Sequence, residues 1–294
     1  DSSQSRGLGD VYKRQNRTSS FMLSAVLQNR ALFQWVKYAV YLALLSNVYL
    51  FLVEEIDSAA ARNTSVTSLA SVFQIFSATI DTAAWLVLLV FFELETYLLS
   101  DQTLRGASGR IIRVTRAVCL ATICIACWGY FAEFYGLLAS EPLNPMQCDI
   151  VDDSWSLLKG LDKFEPLTIN ACGEGSWVIL SNYDRVLATP ELLQSAIWLA
   201  ATDFINAAAW ILVVLVLEVE VRAVLASRGG GTSDVGAIFS LKLLLYFILF
   251  AAAVFWGFKG DFLDFWDAIL WLFAFFVIER NVVSWREETD LVAG

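Results

Sequence analysis

Six stretches of the chain stay apolar for about twenty residues or more, the length a helix needs to cross the hydrocarbon core of a bilayer. They fall at about 35–54, 72–95, 114–138, 193–217, 237–258 and 262–283, and polar segments separate them. This pattern predicts an all-α, polytopic membrane protein with six transmembrane helices. Residues 22–138 would hold helices one to three, 139–191 an insertion outside the membrane, 192–284 helices four to six, and 285–294 a tail. No small-residue cleavage site follows the first stretch, so it does not read as a signal peptide.

A second pattern lies inside the even-numbered stretches. Stretch two reads Ile80-Asp81-Thr82-Ala83-Ala84-Trp85, then seven apolar residues, then Glu93-Leu94-Glu95. Stretch four reads Ile205-Asn206-Ala207-Ala208-Ala209-Trp210, again seven apolar residues, then Glu218-Val219-Glu220. Stretch six keeps the spacing more loosely, with Asp267, Trp271 and Glu279. Each is preceded by a stretch with a basic residue near its start: Lys37, Arg116 or Lys242. Three tandem helical hairpins describe this most simply, an arrangement familiar among transporters. Chance recurrence of Ala, Trp and Leu in lipid-facing helices is the plainer reading.

Charge sets the expected orientation. Arg30, Lys37, Arg105, Arg110, Arg113, Arg116, Arg222, Arg228, Lys242, Arg280 and Arg286 gather on one side, against Arg62, Lys159, Lys163, Arg185 and Lys259 on the other. Cytoplasmic flanks carry the positive excess, so both termini are expected in the cytoplasm and residues 139–191 outside it. That insertion contains Cys148 and Cys172, and two cysteines in an oxidising compartment suggest a disulfide. Trp155 and Trp177 flank them as candidates for a small core. Cys119, Cys124 and Cys127, inside stretch three, read as packing residues, and no metal site is expected.

The first residues stand apart. Asp10-Val11-Tyr12-Lys13-Arg14-Gln15 resembles the in-frame translation of a transposase-library sequencing adapter, so 1–21 is set aside as non-native or unstructured. The natural start is then expected at Met22, in a chain from an environmental bacterial assembly, and the inner membrane is the expected location. A genuine disordered N-terminus is the alternative.

Composition narrows the function classes. Of 294 residues, 57% are hydrophobic and 17% charged, against about 45–50% and about 25% in soluble domains. The net charge of −10 leaves no basic surface for nucleic acid. With no histidine, the His-based triad and the common haem and catalytic-zinc ligand sets are excluded. No cofactor is expected. Gly229-Gly230-Gly231 lacks the Lys-Ser or Lys-Thr of a phosphate loop and reads as a connection.

The candidate chemistry lies in the apolar stretches. At about 100° per residue, positions four and seven before the Trp and eight after it share a helix face, within about 80° of the Trp direction. The resulting stripe comprises Asp81 and Glu93; Asp203, Asn206 and Glu218; and Asp264, Asp267 and Glu279. Asp81, Asn206 and Asp267 should share one depth, about 18 Å from the glutamates. A carboxylate at the bilayer centre costs roughly 2.5–3.5 kcal/mol, so it normally faces protein or water and finds a partner. No Lys or Arg shares that depth. Protonation, a bound cation, or hydrogen bonds from Thr79, Thr82, Thr202, Asn47, Tyr or Trp remain as solutions.

Asp81, Asn206, Asp267, Asp203 and Asp264 are therefore candidates for ion binding or proton relay, with Glu93, Glu218 and Glu279 as inner-mouth carboxylates. A plain role is open to each set. The deep acids could hold helices together by hydrogen bonds, and Glu93, Glu95, Glu218 and Glu220 could pair with Arg116, Arg222 or Lys242. The leading expectation is a proton- or cation-linked channel or transporter. The alternative is a membrane scaffold, assembly or sensory protein that displays residues 139–191 to a protein partner. An intramembrane enzyme ranks third, for want of a histidine or a clear nucleophile.

Overall fold

The computed structural model describes residues 30–62, 64, 68–94, 106–143, 151–152, 154–167, 176–227 and 235–276. They form the helices α1 (Arg30–Ala61), α2 (Leu69–Ile75), α3 (Ser77–Glu93), α4 (Ala107–Leu138), α5 (Pro190–Ser227), α6 (Val235–Lys259) and α7 (262–276). Between α4 and α5 lie five short strands: β1 (Glu141–Pro142), β2 (Ser156–Gly160), β3 (Lys163–Pro166), β4 (Val178–Ile179) and β5 (Val186–Ala188). Two compact units emerge, residues 44–272 and a smaller one of residues 1–43 with 273–294. In the smaller unit the buried Lys37 ammonium lies 5.1 Å from the Tyr38 ring centre and 5.9 Å from that of Tyr41. The larger unit carries all that follows.

Among the described residues, four helices are long and apolar enough to cross a membrane: Gln34–Ala61 in α1, Gly109–Leu138 in α4, Pro190–Glu220 in α5 and Gly236–Lys259 in α6. Their exposed positions hold Leu45, Val118, Leu215 and Phe247 where a soluble helix would carry charge. The chain is a multi-pass membrane protein by the length and composition of these helices. The second predicted stretch differs from expectation, and the sixth lies partly outside the described residues. Stretch two is broken at Phe76, whose backbone leaves the helix (φ −114°, ψ 36°), so that α3 has 17 residues. Stretch six is described as helix only over 262–276.

Local signals account for the helix ends. Pro190 opens α5, where a missing N–H costs nothing, and the Thr189 hydroxyl accepts from the Leu192 amide at 3.3 Å. Ser68 caps α2 by accepting from the Ser71 amide at 3.1 Å, and the Ser71 hydroxyl accepts from the Ser68 amide in return. Helix α6 ends at Gly260, in the left-handed region (φ +84°), with the Asp261 amide donating to the Trp256 carbonyl at 3.0 Å. This stop turns the chain directly into α7.

The five strands correct the expectation of an all-α chain. They form one sheet in the order β1-β4-β5-β2-β3, antiparallel except for the parallel pair β2/β5. Strand β5 is central and wholly buried, and its alternation serves two cores. Val186 and Ala188 join the main core with Leu137 of α4, Ala196 and Leu199 of α5, Ala253 and Trp256 of α6 and Ala268 of α7. Leu187 points to a second core with Leu143, Val151 and Leu167, against which Trp155 and Trp177 pack as expected. Cys148 and Cys172 lie outside the described residues, so the disulfide expected between them does too.

Two contacts seat the sheet on the helix ends. The Ser156 hydroxyl donates to the Ala61 carbonyl at 2.8 Å, and the Asn182 amide donates to the Glu133 carbonyl at 2.6 Å. The second requires Gly136, because a Cβ there would collide with the Asn182 side chain. Gly136→Ala is therefore expected to cost about 1–3 kcal/mol by overpacking. Gly129→Ala, in the same helix with nothing within 4 Å of the added methyl, should be neutral or slightly stabilising. Thermal unfolding of the two variants in detergent checks the contrast.

Candidate functional site

The helices of the larger unit do not close into a solid bundle. They line a cavity of about 710 Å³ that reaches from α1 to α7 and is bordered at one end by the β2–β3 and β4–β5 turns of the sheet. All five deep residues singled out in the sequence line it: Asp81 of α3, Asp203 and Asn206 of α5, and Asp264 and Asp267 of α7. The shared helical face thus becomes one wall of a cavity in three dimensions.

Hydrogen bonds hold several of these groups. The Asn47 side-chain amide, itself 1% exposed, donates to Asp267 Oδ1 at 2.8 Å. The Trp256 indole N–H donates to Asp203 Oδ1 at 3.0 Å. Asp81 and Asp267 each take a hydrogen bond from the indole one turn further along, Trp85 and Trp271 respectively. Those two rings meet edge to face, with centres 6.3 Å apart, so the Asp–Trp positions of α3 and α7 are neighbours in space. Asn206 differs: its Oδ1 is buried and has no hydrogen-bond partner. Of the threonines considered as donors, Thr202 bonds back to the Trp198 carbonyl of its own helix, and Thr79 serves another carboxylate.

That carboxylate is Glu55, 9% exposed on α1. It fills the break between α2 and α3, accepting from the Ala78 amide at 2.7 Å and from the Thr79 amide and hydroxyl. Phe76, the residue before α3, has no side chain able to cap it. Glu55 therefore supplies from a neighbouring helix the negative charge that a free helix N-terminus attracts.

The charge balance of the cavity is one-sided. Glu54, Glu55, Asp81, Glu133, Asp162, Asp184, Asp203, Asp261, Asp264 and Asp267 line it, and among the described residues Arg62 is its single basic side chain. Arg62 is fixed at the sheet end, bonded to the Ser58 carbonyl and hydroxyl at 3.3 Å, with its guanidinium 4.8 Å from the Phe164 ring centre and 4.7 Å from that of Tyr183. The Tyr183 hydroxyl donates to Glu133. Desolvation, with the fields of Glu133 and Asp162, keeps the Tyr183 phenol well above its usual range. Asp162, in the β2–β3 turn, faces the cavity beside these groups. Its side chain is exposed to the cavity space, yet the crowding of chain around it limits its hydration and, with the negative field of Glu133 and Glu54, raises its carboxyl above the ordinary aspartate range, against the pull of Arg62.

Glu54, Glu55, Glu133 and Asp162 carry no weight in a reading of the even-numbered stretches, yet the cavity needs them. Glu133 lies inside the third apolar stretch, where an ionisable residue is itself a signal of function. Asp162 had a weaker signal, the hairpin pattern Leu157-Leu158-Lys159-Gly160-Leu161-Asp162-Lys163-Phe164. The inner-mouth candidates Glu93 and Glu218 do not line the cavity, and Glu279 lies outside the described residues. Beside them, Glu220 pairs with Lys242 at 3.0 Å, joining α5 to α6 as the plain reading expects. Among the described residues no three acidic or cysteine side chains gather as they would around a metal ion. The chain has no match among the protein-family models, the curated proteins or the solved structures compared with it.

Two outcomes follow from this geometry. Glu55→Ala leaves the Ala78 and Thr79 donors without their acceptor and should lower stability by about 1–2 kcal/mol, with faster hydrogen exchange confined to the first turn of α3. Asp162 binds its proton more tightly folded than unfolded, so its contribution favours the fold at acid pH. That contribution fades as pH rises from the ordinary aspartate value of 3.8 through the raised one. Asp162→Asn should therefore match the wild type below about pH 4 and be the more stable protein at neutral pH. Unfolding midpoints of both proteins across that range decide it, and parallel curves would exclude the assignment.

Proposed function

We propose that this chain is a transporter or channel of the bacterial inner membrane, linked to protons or small cations. One observation carries the reading: Asp81, Asp203, Asn206, Asp264 and Asp267, from three helices, converge on one cavity whose described lining has ten acids and, at the sheet end, one arginine. Carboxylates brought together in a space of low dielectric repel one another, and a proton or a cation relieves that repulsion. Loading and unloading such a site is the elementary step of proton- or cation-linked movement. The break at Phe76 fits the reading, because discontinuous helices recur at the binding sites of transporters.

In this scheme α2 with α3, and α7 with the residues after it, complete six crossings. The three helical hairpins are tandem repeats, and the Trp85–Trp271 contact brings two equivalent positions together. Both termini face the cytoplasm, and the sheet, bridged by Cys148–Cys172, faces the other side. The alternative reading, a scaffold or sensor that shows residues 139–191 to a protein partner, is favoured by one feature: the sheet has a core of its own around Leu187.

Flux into proteoliposomes separates the two. Asp81→Asn/Asp267→Asn should abolish flux of protons or small cations while the protein remains folded, since two of the groups that would carry the charge are lost. Unchanged flux in the folded double variant would refute the intramembrane site. Absence of flux from the wild type across several cations and pH gradients would leave the display of residues 139–191 as the better account.

A further inference from the structure

We infer that the cavity is a binding site for an organic ammonium ion, a protonated amine carried on an apolar, preferably aromatic, body. This deepens the cation-linked reading above and rests on it for the direction of charge, but it is carried by shape, wall chemistry and one unsatisfied atom. A proton needs no chamber, whereas about 710 Å³ lies within the roughly 300–1,000 Å³ of sites that take small organic molecules. Inorganic cations are commonly held by several carboxylates drawn to one point, and among the described residues no three Asp, Glu or Cys side chains are placed to hold a metal ion.

The walls suit an ammonium ion on an apolar body. Trp128, Trp210, Trp256 and Trp271 line the same space as the acids, and aromatic faces attract a desolvated ammonium while burying the carbon skeleton attached to it. Asn206 lines this wall with its Oδ1 just beneath the cavity surface and without a donor, and a buried acceptor left unsatisfied costs about 1–3 kcal/mol, so a turn of the amide toward the cavity would present that oxygen to an occupant. An N–H⁺ group satisfies it. The acids around it, Asp203 one turn earlier on α5 and Asp81 on α3, supply the counter-charge. A neutral alcohol would satisfy the amide oxygen but leave the carboxylates uncompensated. A quaternary ammonium would balance charge but offer Asn206 no proton.

These differences define the test. Equilibrium binding of phenethylammonium, phenethyl alcohol and phenethyltrimethylammonium is measured on the full chain in nanodiscs by calorimetry. Phenethylammonium should bind at least about tenfold more tightly than the alcohol. Asn206→Leu should weaken phenethylammonium by about tenfold and leave the trimethyl derivative unchanged. Where Asn206→Leu does not fold, Trp210→Leu serves instead and should weaken both ammonium ions. Equal binding of alcohol and amine, or no binding of any ammonium ion by the folded wild type, overturns the inference. The two proposals part cleanly. Flux that depends on Asp81 and Asp267 without ammonium binding keeps the cation-linked reading and removes this one. Ammonium binding without flux of any cation keeps the site and removes transport.

Discussion

Negative charge confined among apolar walls is the constraint that organises the protein. A carboxylate in such a space costs several kcal/mol unless something meets it, and ten acidic side chains here share a cavity with one arginine. The fold answers by dividing the acids. Some are absorbed into structure: Glu55 caps a helix, Asp203 and Asp267 accept from Trp256 and Asn47, and Glu133 accepts from Tyr183. At the sheet end Asp261 pairs with Lys163 at 3.5 Å, and Asp162 and Glu133 lie in the field of Arg62, whereas among the described residues neither Asp81 nor Asp264 has an ion-pair partner. A site whose charge is left to be completed from outside is chemically different from a buried ion pair, which is complete in itself.

The supporting structure follows from the same constraint. A continuous helix through residues 69–93 would have its backbone donors bonded internally and would leave Glu55 without partners. Breaking it at Phe76 frees the Ala78 and Thr79 donors, and the carboxylate occupies them. The helix break and the buried glutamate thus each resolve a cost that the other creates. About two turns after Glu55, just past the same end of α1, Arg62 lies between Phe164 and Tyr183, so this positive charge is held by aromatic faces and the Ser58 hydrogen bonds. It cannot move down to the deep acids without losing them.

Much of this was legible in the chain because helices in lipid write long apolar runs and helical faces repeat every 3.6 residues. The four long helices fall where the hydropathy places them, and the common facing of Asp81, Asn206 and Asp267 survives as a common cavity wall. Three things were not legible, each for a physical reason. Phe76 breaks its helix without Pro or Gly, through a tertiary contact with a residue about twenty positions earlier, which no local pattern encodes. The strands are two to five residues long, too short for alternation to stand out beside the prolines and acids of that segment. Glu54, Glu55 and Asp162 reach the cavity from separate elements, so only the packing of α1 and the sheet against the remaining helices makes them neighbours of the deep acids.

The pairing of Asp with Trp one turn later has a consequence of its own. An indole that donates to a carboxylate also turns its ring across the same helix face, so each pair presents a charge and an apolar plane side by side. In α3 and α7 the planes touch, Trp85 against Trp271, and the acids are thereby held on the same wall. In α5 the residue four before Trp210 is Asn206, whose side chain can donate as well as accept and needs no counter-charge. An amide there adds nothing to the repulsion among the ten acids of the described cavity lining. Asn206 can therefore serve a donor as well as an acceptor without raising that repulsion, whereas a further carboxylate at the same place would add to it.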